Sequence, residues 1–247
     1  MAAFHLFFLH GLGEEGSLWG PALENLERDV MQTLSVGSGD TLVDSSLKIH
    51  ILDSPWPARE LTGLPGGKRT AWMDMPALPL DEQKIAEVHA VDKSFADSVD
   101  WLLEQVDSNV NFDKGERVVL AGFSQGAAVA LSAALKTKNS RAVAAVLNIG
   151  GWFVKDYHLQ AEENLFGRPP AFSLFWLHGK KDFPIPVALS DVGKRWLVGE
   201  FQLPEQNVFG DQPEGMGHSP EDQNRLPASV TEWLAEVMRG RKEELRG

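Results

Sequence analysis

Residues 118–131 read Val-Val-Leu-Ala-Gly-Phe-Ser-Gln-Gly-Ala-Ala-Val-Ala-Leu, and this stretch decides the fold. The β-branched apolar run before Gly122 predicts a buried strand, and the alanine-rich run after Gly126 predicts a helix. Gly-x-Ser-x-Gly at a strand-to-helix turn is typical of a serine nucleophile, because the sharp turn lifts the hydroxyl above the sheet edge. The alternative is a glycine-rich turn with an idle serine. We therefore predict that Ser124 is a nucleophile.

Further apolar runs alternate with helical patterns on both sides of this stretch. The predicted strands are residues 4–9, 47–52, 117–121, 143–149, 172–177 and, more weakly, 207–209. The predicted helices are residues 18–34, 85–106, 127–135, 187–201 and 227–238. This alternation predicts an α/β fold with a mostly parallel sheet covered on both faces. In such a sheet, ligands bind at the carboxyl ends of the strands.

Composition narrows the classes of function. The formal net charge of −12 argues against nucleic-acid binding, which needs a basic surface. The chain has no cysteine, so disulfides and thiolate metal sites are excluded. The apolar run 4–9 is too short to span a membrane and has no basic leader. We expect a cytoplasmic protein without stable membrane insertion, and we predict neither a metal nor a cofactor.

A serine nucleophile needs a histidine base and a carboxylic acid. In proteins whose serine sits on this kind of turn, the three residues occur along the chain in the order Ser, Asp/Glu, His. His218, in a glycine-flanked loop before the last helix, is the histidine that fits this order, unless it is only a solvated loop residue. Asp182 follows a strand end and is the preferred acid, although a turn or helix-capping role would also explain it. Asp211 and Glu214 are competitors, since both lie close to His218 in sequence.

Residues 11–16, Gly-Leu-Gly-Glu-Glu-Gly, match the dinucleotide-binding fingerprint Gly-x-Gly-x-x-Gly. That fingerprint requires an acidic residue about 20 positions further on, whereas Asp53, at the end of the next predicted strand, is much farther away. Glu14 and Glu15 would also face the pyrophosphate. A His-Gly loop after an early strand can instead donate a backbone N–H to an oxyanion hole, together with the N–H of Gln125. We favour this second interpretation.

Several motifs together resemble the acyl-protein thioesterase and phospholipase/carboxylesterase family. They are residues 9–13, 55–59, 71–75, 122–126, 178–182 and 215–219. The resemblance implies a compact α/β-hydrolase domain over residues 1–247 without a large cap domain. It implies a triad of Ser124, Asp182 and His218, and an oxyanion hole formed by the N–H groups of Leu12 and Gln125. Members hydrolyse carboxylic esters, lysophospholipids or the thioester that joins a fatty acid to a protein cysteine.

The loop at about 53–80 is rich in Pro and Gly yet also apolar, and the resemblance implies that the family's apolar acyl channel lies near it. Candidate acyl-chain contacts, which core packing would explain equally well, are Trp56, Leu61, Trp72, Met73, Met75, Trp152 and Phe153. Glu14 stands where the family usually has Asp. We expect an enzyme like an acyl-protein thioesterase, acting on S-acylated proteins or other acyl esters. The alternatives are a short-chain carboxylesterase or lysophospholipase, and a binding protein without catalysis.

Overall fold

The computed structural model describes residues 2–36, 45–56, 70–74, 78–89, 93–137, 142–155, 170–218 and 225–240. Its centre is a six-stranded sheet in the order β2-β1-β3-β4-β5-β6, and each neighbouring pair is parallel. The strands are β1 (Ala2–Leu9), β2 (Ser45–Leu52), β3 (Arg117–Phe123), β4 (Val143–Ile149), β5 (Ser173–Leu177) and β6 (Val208–Asp211). The predicted parallel sheet is confirmed.

Helices follow the strands much as the apolar spacing predicts. They are α1 (Gly20–Val36), α2 (Glu82–His89), α3 (Lys93–Asn109), α4 (Gln125–Lys136), α5 (Ala188–Gly199) and α6 (Ala228–Arg239). Two helices, α2 and α3, cover the region predicted as one, and residues 90–92 between them lie outside the described residues. None of the described helices is long and apolar enough to cross a bilayer.

The sheet separates two hydrophobic clusters. One contains buried residues of α1 and α6, and the other contains residues of α2, α3, α4 and α5. Phe4, Leu6 and Phe8 of β1 belong to the first cluster, whereas Phe7 and Leu9 belong to the second. This alternation follows from the two-residue period of a strand, and it explains why the strands are apolar on both faces.

The strand register brings the loops of the site to one edge. Leu9 is paired with Gly122, Phe123 with Ile149, and Ile149 with Leu177. The segments after β1, β3, β4 and β5 therefore leave the sheet side by side at its carboxyl edge, where α/β sheets bind ligands.

Candidate active site

Ser124 lies at a turn that only glycine neighbours permit. Its backbone has φ 53° and ψ −116°, and α4 begins at the next residue. A Cβ on Gly122 would lie 2.4 Å from the carbonyl carbon of Gly126, and a Cβ on Gly126 would lie 2.3 Å from the oxygen of Leu9. The strained conformation and both glycines match the turn that holds a nucleophilic serine, and they place Ser124 at the positive end of α4.

Three side chains from separate loops meet at this turn. His218 Nε2 lies 3.0 Å from the Ser124 hydroxyl oxygen, and His218 Nδ1 lies 2.6 Å from Oδ2 of Asp182. Because a carboxylate only accepts hydrogen bonds, Nδ1 carries the ring proton and Nε2 is left to accept the serine proton. The imidazole also packs on the ring of Phe123, with a centroid distance of 4.8 Å.

Asp182 is buried yet ionised. Burial by itself would raise the pKa of Asp182, but hydrogen bonds from His178 and His218, attraction to His218 and the backbone N–H of Ile185 together hold this pKa below its usual value. The Ile185 N–H donates to Oδ1 at 2.9 Å. The carboxylate is therefore a negative charge beside the imidazole.

The two competing acids have other partners. Asp211 accepts a hydrogen bond from the Ser229 hydroxyl at 2.9 Å. Glu214 forms an exposed ion pair with Lys180 at 2.6 Å. Asp182 is thus the carboxylate that the structure brings to His218.

The loop after β1 is held by its own side chains. His10 Nδ1 lies 2.7 Å from the carbonyl oxygen of Gly11, and its Nε2 accepts from the Ser54 N–H at 3.1 Å. Glu14 accepts from the Gly11 N–H at 2.9 Å and from the Trp19 indole at 3.1 Å. These contacts fix the backbone on both sides of Leu12.

Leu12 and Gln125 are the predicted oxyanion donors. Within the described part of the chain, no acceptor takes the amide N–H of Leu12 or of Gln125. Gln125 is the first residue of α4, so its N–H has no partner within the helix. Both N–H groups are therefore available to a negatively charged oxygen.

Residues 46–230 match the family described as Phospholipase/Carboxylesterase, and this range includes Ser124, Asp182 and His218. The chain belongs to the phospholipase/carboxylesterase family. The resemblance stated from the motifs is thereby confirmed, and the family is one of hydrolases.

Named relatives agree with the phospholipase/carboxylesterase assignment. The chain is similar to acyl-protein thioesterase 1 of Mycosarcoma maydis, with 29% identity over 90% of this chain and 88% of the relative. It is similar to acyl-protein thioesterase 1 of Saccharomyces cerevisiae, with 23% identity over 93% and 92%. Among solved structures it resembles Zea mays acyl-protein thioesterase 2, with a TM-score of 0.66, 21% identity, and coverage of 96% and 95%. Arabidopsis thaliana SOBER1 has a TM-score of 0.60, 19% identity, and coverage of 96% and 98%.

These structural likenesses confirm the predicted α/β-hydrolase fold, and no separate cap domain stands on the sheet within the described ranges. Among the residues that the structure describes, no group of three or more His, Cys, Asp or Glu side chains is placed to hold a metal ion.

Most of the apolar residues predicted to contact an acyl chain are packed inside this phospholipase/carboxylesterase fold. The buried ones, all in the cluster with α3 and α4, are Trp72, Met73, Trp152 and Phe153. Trp56 is half-buried against the same cluster, and Leu61 and Met75 lie outside the described residues. Burial favours the core-packing alternative for the four buried residues, Trp72, Met73, Trp152 and Phe153.

Two exposed apolar side chains, which the sequence did not single out as acyl-chain contacts, lie on the segments 78–80 and 182–184. Phe183, next to Asp182, is 73% exposed, and Leu78 is 49% exposed. The two segments are joined because the Leu80 N–H donates to the Pro184 carbonyl at 2.9 Å. The two segments therefore meet at the turn that carries Asp182. We call Leu78 and Phe183 the apolar rim.

The side chain of Gln125 also has a role that its motif does not reveal. Its Oε1 accepts from the Trp72 N–H at 3.0 Å, and its Nε2 donates to the Met73 carbonyl at 3.0 Å. Gln125 therefore ties the segment 70–74 to the serine turn. The sequence holds no signal for this contact, because it joins residues about 50 positions apart.

Proposed function

We propose that this protein is a serine hydrolase that cleaves acyl esters or thioesters with a triad of Ser124, His218 and Asp182. The observation that carries the proposal is the continuous pair of hydrogen bonds, 3.0 Å and 2.6 Å long, from the serine oxygen through the imidazole to the carboxylate. Such a relay is what an otherwise weak serine nucleophile requires.

In the proposed reaction, His218 Nε2 takes the Ser124 proton while the serine oxygen attacks the acyl carbonyl carbon. The carbonyl oxygen becomes negative and receives hydrogen bonds from the N–H groups of Leu12 and Gln125. The protonated imidazole, stabilised by Asp182, then gives its proton to the departing alcohol or thiol. Water then attacks the carbonyl carbon of the acyl-serine and gives a proton to His218 Nε2. The imidazole passes that proton to the Ser124 oxygen as the carboxylic acid is released.

We propose acyl-protein thioesters as the preferred substrates. Several relatives that match along most of the chain are named acyl-protein thioesterases, which supports this choice. We propose that the apolar rim, Leu78 and Phe183, contacts a long acyl chain, because both side chains are exposed on segments joined at the turn that carries Asp182. A lysophospholipase or short-chain carboxylesterase using the same triad is the second candidate, favoured by the name of the matching family.

The proposal is tested by comparing three substrates in one assay: a palmitoylated peptide thioester, a lysophospholipid and a p-nitrophenyl acetate ester. We expect the highest kcat/KM for the thioester. Ser124→Ala removes the nucleophile and should lower kcat by about 10⁴-fold or more on every substrate. Ser132→Ala is a matched control, because this buried serine of α4 has no hydrogen-bond partner within the described chain.

The outcomes separate the candidates. A preference for the lysolipid or the acetate would replace the thioesterase proposal with the second candidate. A folded protein that turns over none of the three substrates would instead favour a binding protein. Normal turnover by Ser124→Ala would end the proposal.

A further inference from the structure

His178 is a fully buried histidine beside the triad, and the proposed reaction does not use it. It follows β5 and is 0% exposed. Its Nε2 lies 2.7 Å from the carbonyl oxygen of Ile185 and 3.3 Å from Oδ2 of Asp182. Oδ2 is the same oxygen that faces His218. A buried titratable side chain in this place calls for a physical explanation.

The contacts of the ring show which of its two nitrogens carries a proton. A carbonyl and a carboxylate can only accept, so the Nε2 of His178 must carry a proton and share it between them. The Nδ1 atom is buried and has no partner in the described part of the protein. A second proton there would be a buried, unsatisfied donor, which is costly. The contacts therefore place a ring proton on Nε2, between these two acceptors.

We propose that His178 is a positioning residue that holds the Asp182 carboxylate in the orientation that His218 needs. This inference rests on the proposed function. Three N–H groups, from His178, His218 and Ile185, surround the carboxylate. With Oδ1 held by Ile185, the His178 N–H stops rotation of the carboxylate about its Cβ–Cγ bond, so that Oδ2 stays on the His218 side.

The shared proton of His178 has a second consequence. Because it bridges the Ile185 carbonyl and the Asp182 carboxylate, it ties the backbone of the turn at 182–185 to the acid that the turn carries. Without it, the carboxylate would lose one of its three donors in a buried place. An under-solvated carboxylate can relieve that loss by rotating toward another donor, which would release His218.

The test uses three substitutions of similar size. In His178→Gln, the amide nitrogen falls near the position of Nε2 and keeps the donor. In His178→Asn, the amide nitrogen falls near Nδ1, where it has no acceptor, and His178→Met has no donor at all. We expect kcat to fall about 10- to 100-fold in the Asn and Met proteins, as for a lost hydrogen bond to a charged group, with KM little changed. The Gln protein should keep most of the wild-type kcat.

Equal loss in Gln and Asn, or a wild-type kcat in a folded Met protein, would overturn the inference. If the variants do not fold, nitrogen NMR of the unmodified protein decides. A His178 ring protonated on Nε2 supports the proposal, and a ring protonated only on Nδ1 contradicts it. Normal activity in all His178 variants with an inactive Ser124→Ala would reject only the positioning role. A wild-type protein without hydrolase activity would reject the proposed function instead.

Discussion

Gly126→Ala should separate activity from stability. The new Cβ would lie 2.3 Å from the Leu9 oxygen and 2.6 Å from the His10 oxygen, whereas an ordinary contact is 3.4 Å or longer. Both obstacles are backbone atoms at the end of β1, so α4 must move away by about 1 Å. That movement separates the Gln125 N–H from the Leu12 N–H. A misplacement of about 1 Å can lower a rate about 100-fold.

The cost in stability is smaller. Overpacking typically costs about 1–3 kcal/mol, but alanine is favoured over glycine in a helix by about 1 kcal/mol. The net loss in the free energy of unfolding should therefore be at most about 2 kcal/mol. Both quantities can be measured on the same preparation, kcat from ester hydrolysis and stability from urea unfolding.

Gly20→Ala is the matched control. Gly20 begins α1 with φ −46°, and a Cβ there would meet no atom within 4 Å. This substitution should leave kcat unchanged and raise stability by about 0.4–1 kcal/mol. A folded Gly126→Ala protein with wild-type kcat would refute the claim that the contact of α4 with β1 sets the oxyanion site.

Three other predictions concern the loop, the sheet edge and the rim. Glu14→Ala removes the acceptor of the Gly11 N–H and should lower kcat about 10-fold, whereas Glu14→Gln keeps an acceptor and should lower it less. The pKa of His50 is lowered from 6.5 to about 4, mainly by burial and then by the charges of Lys48 and His5. The unfolded chain therefore binds a proton that the folded chain does not, so stability should fall as pH falls from 6.5 towards 4, and His50→Gln should flatten that slope in urea unfolding. Phe183→Ser should raise KM for a long-chain thioester without changing kcat for an acetate ester.

Each of these has a contradicting result. Equal kcat in the Glu14 variants and the wild type would remove the loop-holding role. A His50→Gln protein whose stability depends on pH as steeply as the wild type would assign the slope to other groups. An unchanged KM for long chains in Phe183→Ser would place the acyl chain elsewhere.

The sequence predicted the scaffold well because its signals are local. Apolar runs fix the strands, and the glycines around Ser124 mark the turn. The order of the loops after the strands was enough to predict that Asp182 and His218 lie near Ser124, because the carboxyl ends of the strands share one edge of the sheet. Their catalytic roles, the single domain and the cytoplasmic location stay predictions.

The remaining features depend on contacts between distant segments. Nothing in the pattern around His178 indicates that its ring lies against Asp182, and order along the chain only excluded it as the base. An apolar loop residue such as Trp72 has the same sequence signal whether it packs in the core or lines a pocket. Phe183 was missed because its exposure depends on the surrounding fold.

Covalent labelling tests the central claim most directly. A fluorophosphonate reacts with a serine only where a base activates it and an oxyanion site holds the phosphoryl oxygen. Incubation of the wild type and Ser124→Ala with the probe, followed by peptide mass spectrometry, should show one adduct on Ser124 and none in the variant. An active wild-type protein that stays unlabelled at Ser124, or carries the adduct on another residue, would contradict the account.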